Sequence, residues 1–175
     1  MTSLVVIDNF LPYPNIVRSW ALQQKFYSAE EMSEKYQKPN SWPGLRSQNI
    51  NELDLDFANV VLGKISSLAK LYFGLNGQFE IRSSFQITSF KDGTSWIHRD
   101  DDVDAAGLIY LTPNPPINSG TDFYQSFDGT IVDSIGNLYN RLIMYPSTRL
   151  HKSAEYFGDN TDNSRLTLVF FITGR

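Results

Sequence analysis

Arg165-Leu166-Thr167-Leu168-Val169-Phe170-Phe171-Ile172 is the most apolar strand-like run in the chain, which marks it as a central, buried strand. Arg165 and Thr167 fall on one face of such a strand, Leu166 and Leu168 on the other. Upstream of it the sequence reads as a series of short strands: 79–90, 95–100, 107–112, 121–124, 141–145 and 150–156. Turn chemistry separates them, at Asp92-Gly93, Pro113-Asn114-Pro115-Pro116, Ser119-Gly120, Asp128-Gly129 and Gly158-Asp159-Asn160. The first half has a different texture. A short strand at 3–10 is broken by Asp8-Asn9, Pro12 and Pro14, and Ile16, Trp20, Leu22 and Phe26 recur at helical spacing over 15–37. A turn follows at 39–44. Residues 54–73 form the clearest amphipathic helix, on Leu55, Ala58, Val61, Leu62, Ile65, Leu68, Ala69 and Tyr72. Helices first and many short strands after predict an α+β fold with a double-sheet barrel or jelly roll in the second half.

The length of 175 residues suits one domain, with 1–78 a mainly helical covering part and 79–175 the jelly-roll core. Hydrophobic residues make up 41% of the chain, enough for a sizeable core. Fifteen basic against nineteen acidic side chains, with no Lys- or Arg-rich stretch, argue against a nucleic-acid partner. The chain has no cysteine, which excludes disulfides, Cys-ligated zinc and thiol nucleophiles. Met1-Thr2-Ser3-Leu4-Val5-Val6 lacks the charged start and long apolar run of a signal peptide, and no apolar run is long enough to span a bilayer. The expectation is a soluble, cytoplasmic protein.

Only two histidines are present, so any site that needs imidazoles must use both. His98 stands in Trp96-Ile97-His98-Arg99-Asp100. In an extended segment His98 and Asp100 project together while Arg99 points away. His151 lies far downstream in Arg149-Leu150-His151-Lys152. Two imidazoles and one carboxylate on one face make the facial triad of non-haem Fe(II), which leaves coordination positions open for a co-substrate and O2. A His-x-Asp is also the sequence of an ordinary surface pair. Arg165 has two readings as well: a buried cation that needs an anion such as a small dicarboxylate, or an exposed strand end paired with Asp159 or Asp162.

Taken in order, His98-x-Asp100, the distant His151 and then Arg165-x-Thr167 at the head of a late apolar strand resemble the 2-oxoglutarate/Fe(II)-dependent dioxygenases, closest to the prolyl-hydroxylase-like branch. The stretch 85–93, the strand Leu108-Ile109-Tyr110-Leu111, the turn Ser119-Gly120 leading to Phe123-Tyr124, and Leu142-Ile143-Met144-Tyr145-Pro146 before the second histidine extend the likeness over about 79–172. The resemblance implies a double-stranded β-helix with N-terminal covering helices. It implies Fe(2+) on His98, Asp100 and His151, and 2-oxoglutarate held through its distal carboxylate by Arg165 and Tyr110, with Thr167 assisting. A core aromatic is the competing role for Tyr110. The implied reaction is O2-dependent hydroxylation of a C–H bond in a protein side chain, such as prolyl, or in a small molecule. A catalytically inactive jelly-roll metal-binding module, acting as a binding or structural protein, is the alternative.

The chain departs from the pattern at two places. Ser95 and Trp96 stand where relatives often carry a Tyr, and a usual double Gly is reduced to Ser119-Gly120. Asp100 itself is present, which disfavours the halogenase variant of this chemistry. An EF-hand reading of Asp100-Asp101-Asp102-Val103-Asp104 fails because Ala105 replaces the required Gly and Leu111 the closing Glu. The stretch Trp42-Pro43-Gly44-Leu45-Arg46-Ser47 is a turn by default, with a place at the substrate entrance as the functional reading.

Overall fold

A computed structural model describes residues 3–37 and 39–174; Met1, Thr2, Lys38 and Arg175 lie outside the described residues, and with them the first two positions of the N-terminal reading. The elements run β1 (Val5–Ile7), α1 (Pro14–Leu22), β2 (Phe26–Tyr27), α2 (Ala29–Tyr36), β3 (Leu45–Ser47), α3 (Ile50–Leu53) and α4 (Leu55–Phe73) in the first part. They continue as β4 (Phe79–Thr88), β5 (Ala105–Tyr110), β6 (Thr121–Tyr124), β7 (Ile131–Ile135), β8 (Leu142–Pro146), β9 (Leu150–Ser153) and β10 (Arg165–Gly174).

A seven-stranded antiparallel sheet has the order β1-β8-β5-β10-β4-β3-β2, and a three-stranded antiparallel sheet the order β7-β6-β9. The apolar run 165–172 is indeed central: β10 lies between β4 and β5. Its alternation divides the molecule into layers. Leu166, Leu168, Phe170 and Ile172 join Ala58, Val61, Leu62 and Ile65 of α4 in one core. On the opposite face Val169 joins Leu108, Tyr110, Tyr145 and Phe123 in a second core that unites the two sheets. Helices cover one face of the large sheet and the small sheet covers the other, which is the α+β jelly-roll arrangement expected from the sequence.

Local chemistry explains the helix limits. The Asp54 carboxylate accepts from the Phe57 N–H at 2.9 Å and starts α4; Gly74, at φ 65°, ends it. Leu55 and Tyr72, expected on the apolar stripe, are exposed instead, and Phe73 takes the buried place. The single helix expected over 15–37 is two helices with a strand between them. Ser28 and Glu31 form a capping box, which restarts the chain as α2, while Phe26 and Tyr27 pair with β3 at the sheet edge. The first part is therefore not only a helical cover, since β1, β2 and β3 all join the large sheet. The strand expected at 95–100 is reduced to a single bridge at His98, and β7 arises where the sequence suggested no strand. Among the described residues no helix is long and apolar enough to cross a membrane.

Candidate metal centre

His98 is held to the small sheet by reciprocal backbone hydrogen bonds with His151, N to O at 3.0 Å in each direction. Two residues on, the Asp100 N–H donates to the Ser147 carbonyl at 3.2 Å. The backbone thus stays extended without being a strand, and the side chains alternate as expected. His98 and Asp100 turn inward; Arg99 is exposed, its guanidinium 5.9 Å from the Phe127 ring centre. The ligand atoms of His98, Asp100 and His151 all lie within 4.8 Å of one another.

The backbone also fixes the tautomers. Nδ1 of His98 lies 2.9 Å from the Trp96 carbonyl oxygen and Nδ1 of His151 lies 3.0 Å from that of Arg149. A carbonyl only accepts, so each Nδ1 carries the proton and each Nε2 presents a lone pair. His151 Nε2 stands 3.4 Å from Asp100 Oδ2, and His98 Nε2 stands 4.0 Å from Asp100 Oδ1. Burial, with the neighbouring His98 adding to it, pushes the His151 pKa down to about 3, so this approach is not an ion pair at neutral pH. Asp100 Oδ2 is sealed from solvent and has no hydrogen-bond donor. Burial raises the Asp100 pKa, against the lowering pull of His98 and Arg46. Lone pairs that face one another with no donor between them repel. A cation placed among the three resolves that repulsion, and two imidazoles with one carboxylate suit ferrous iron. The Nδ1–H···O=C bonds are the outer contacts that orient metal-ligating histidines.

The triad opens on a cavity of about 400 Å³ between the sheets, whose wall includes Arg46, Gln86, Thr121, Tyr145, Tyr156 and Arg165. Arg165 is almost fully buried; its Nε donates to the Ser119 carbonyl at 3.1 Å, while Nη2 is buried with no partner. Neither Asp159 nor Asp162 pairs with it among the described residues, so the buried reading of Arg165 holds. Its guanidinium lies 5.3 Å from the Tyr110 ring centre. Tyr110 is fully buried, its hydroxyl 2.8 Å from Thr121 Oγ1, and burial raises its pKa. Thr167, opposite Tyr110 in register, is fully buried with an unpartnered hydroxyl. Arg165 thus lines the cavity, whereas Tyr110 and Thr167 stand behind its wall.

The stretch Trp42-Pro43-Gly44-Leu45-Arg46-Ser47, a turn by default with a place at the entrance as its functional reading, brings Trp42, Pro43 and Arg46 to the cavity wall. Sequence reading missed the roles of Tyr145, whose ring packs 4.6 Å from that of His151, and of Gln86, which pairs with Arg46. Arg46 sits in register with Gln86 because Gly44 lets β3 approach β4: at φ 69°, a Cβ there would meet the Ile87 carbonyl oxygen at 2.1 Å. The Pro43-Gly44 pair was the available signal.

No family model matches the chain, and no curated protein is detectably similar in sequence. Solved structures do resemble it. A prolyl-4-hydroxylase from Pseudomonas putida aligns over 100% of this chain and 94% of its own length, with TM-score 0.57 and 16% identity. An oxidoreductase of the 2OG-Fe(II) oxygenase family from Burkholderia pseudomallei aligns over 98% of this chain and 84% of its own, with TM-score 0.68 and 12% identity. HygX from Streptomyces hygroscopicus, solved with nickel and 2-oxoglutarate, aligns over 99% of this chain and 83% of its own, with TM-score 0.67 and 11% identity. At these identities the likeness establishes a shared jelly-roll fold.

Proposed function

We propose that this chain is a 2-oxoglutarate- and Fe(II)-dependent oxygenase, acting as one domain, that hydroxylates a C–H bond of a protein side chain or of a small molecule. The observation that carries the reading is the set of opposed lone pairs on His98, Asp100 and His151, converging without a donor at the end of a cavity. The shared fold with prolyl 4-hydroxylases makes a prolyl side chain one natural substrate, and a small metabolite the other class.

Iron and 2-oxoglutarate, when bound, supply the O2-dependent oxidising power that the side chains of this protein lack. His98, Asp100 and His151 would hold the metal at the end of the cavity. Arg165, which lines the cavity, would supply the cation for the distal carboxylate of 2-oxoglutarate, with the Nε–Ser119 bond keeping the guanidinium plane fixed. Tyr110 and Thr167 support that end from behind. The Tyr145 and Phe123 rings shield His151 from water and hold its imidazole in place.

Anaerobic addition of Fe(II) and then 2-oxoglutarate tests the reading. A visible charge-transfer band is expected, followed by succinate release when O2 is admitted; His151→Ala removes both. Absence of the band refutes the oxygenase. A band without succinate, across peptides and metabolites, leaves a binding module instead.

A further inference from the structure

The cavity holds a second guanidinium that the metal and 2-oxoglutarate do not use. Arg46 lies on the wall shared by the metal cavity and an adjoining one of about 610 Å³, which opens toward α2. Its guanidinium carbon stands 4.7 Å from the Trp42 ring centre and 5.6 Å from that of Phe171. The one hydrogen bond it makes runs from Nη2 to Gln86 Oε1 at 3.1 Å. Gln86 is itself clamped, donating Nε2–H to the Pro43 carbonyl at 2.8 Å. No carboxylate lies within ion-pair distance of Arg46 among the described residues. Its Nε is sealed without an acceptor, and the residue lines both cavities.

Arg46 is not alone in lacking an acceptor. Trp42 Nε1 and Tyr156 Oη are also buried and unpartnered, and both residues line the same cavity. Trp Nε1–H and a guanidinium can only donate. A wall of donors needs a partner rich in lone pairs. Asp100 is the acid that acts on Arg46, and a metal takes up that charge. The other charged groups lining the two cavities, Glu52, Arg82, Arg99, Asp101 and Asp102, are all exposed, so solvent screens them, and none pairs with Arg46. With a divalent metal on the triad and a dicarboxylate on Arg165, Arg46 is left as an uncancelled, half-buried cation, an arrangement that is costly until an anion arrives.

We infer that the primary substrate is an anion, and that Arg46, steadied between Trp42 and Phe171 and by Gln86, holds its carboxylate or phosphate group on the cavity wall. This rests on the oxygenase reading, with Arg165 assigned to 2-oxoglutarate. A planar guanidinium grips such an oxyanion through two parallel hydrogen bonds and sets the distance from the anion to the carbon presented at the metal. The same contact selects against neutral analogues, which would leave the donors unpaired.

The experiment uses the full chain loaded anaerobically with Fe(II) and saturating 2-oxoglutarate, so that Arg165 is occupied and the charge-transfer band reports it. Calorimetry then measures N-acetylglycine, its neutral amide N-acetylglycinamide, and methyl phosphate. At least one of the two anions is expected to bind saturably and the amide not to; which anion binds tells carboxylate from phosphate. Arg46→Gln should weaken that anion at least about tenfold while 2-oxoglutarate affinity holds. Arg46→Lys guards against a folding defect: it keeps the band and weakens the anion less, because the charge survives without the planar fork. The inference is overturned if neither anion binds, if the amide binds equally, or if Arg46→Gln leaves the anion's affinity unchanged. Loss of 2-oxoglutarate affinity in Arg46→Gln would assign Arg46 to the co-substrate and also overturn it. A wild-type protein with no band fails the oxygenase reading itself, and this inference with it.

Discussion

Arg165 shows how one side chain separates binding from stability. The guanidinium is buried, with its Nε on the Ser119 carbonyl and the Tyr110 ring and hydroxyl beside it, and Nη2 is sealed and unbonded, so the folded protein carries a cation it does not fully satisfy. Replacing it with Gln removes charge-assisted bonds to a dicarboxylate but also removes that underpaired charge. Arg165→Gln should therefore weaken 2-oxoglutarate about 10- to 100-fold, leave Fe(II) affinity within about twofold, and not lower the melting temperature. Paired titrations of the two ligands and a thermal melt check this; an unchanged 2-oxoglutarate affinity removes Arg165 from the site. The triad was legible in the sequence because the chain has only two histidines and the period-2 alternation of extended backbone put Asp100 beside His98. For Arg46 only the neighbourhood of the entrance was legible; the position of its guanidinium depends on the pairing of β3 with β4, which no local pattern of Trp42-Pro43-Gly44-Leu45 announces.

The turn before β6 carries a similar argument for backbone. Gly120 follows Ser119, whose carbonyl orients Arg165, and the Gly120 carbonyl accepts from the Ala154 N–H at 3.1 Å. A Cβ at Gly120 would lie 1.8 Å from the Ile135 carbonyl oxygen and 2.9 Å from the Asn137 N. Both obstacles are backbone, so β6 and β7 must separate to admit it. Gly120→Ala should cost about 1–3 kcal/mol and weaken 2-oxoglutarate by displacing Ser119, whereas Gly63→Ala, on α4 with open space around it, should leave 2-oxoglutarate binding as it was. Urea denaturation with a parallel 2-oxoglutarate titration decides it, and equal stability of Gly120→Ala and wild type contradicts the packing argument. The elements that sequence periodicity found best, α4 and β10, bury faces long enough for the pattern to repeat. The elements it missed are two to five residues long, too short for a period to repeat: β2 and β3 depend on pairing with strands farther along the chain, and β7, a hairpin partner of β6, is largely exposed and shows no apolar face.

How the first residues are fastened to the jelly roll sets a test on the fold as a whole. β1 pairs with β8, in the register Val5↔Met144 to Ile7↔Leu142, and the chain then turns away toward α1. Two devices secure that departure. Buried Asn140, at φ 64°, accepts from the Leu11 N–H through Oδ1 at 2.9 Å and donates Nδ2–H to the Leu11 carbonyl at 2.9 Å. Asp8 takes a bidentate pair from Arg141, Nε to Oδ1 at 2.6 Å and Nη2 to Oδ2 at 3.0 Å. The hydrogen bond from Arg141 lowers the Asp8 pKa below its ordinary value. A carboxylate lowered in the folded state contributes stability that is present above its unfolded pKa and is lost as pH falls through the folded one. The Asp8 side chain is 52% exposed, so solvent screens the pair and its worth at neutral pH is at most about 1 kcal/mol. Asp8→Asn should therefore be slightly less stable than wild type at pH 7, and the two should converge below about pH 4. Asn140→Ala leaves buried backbone groups of Leu11 unpaired and should cost about 1–3 kcal/mol by a route that does not titrate. Urea melts of the three proteins at neutral and acidic pH separate the devices. A gap between Asp8→Asn and wild type that persists unchanged into acid would show that Asp8 fastens the chain by something other than its charge.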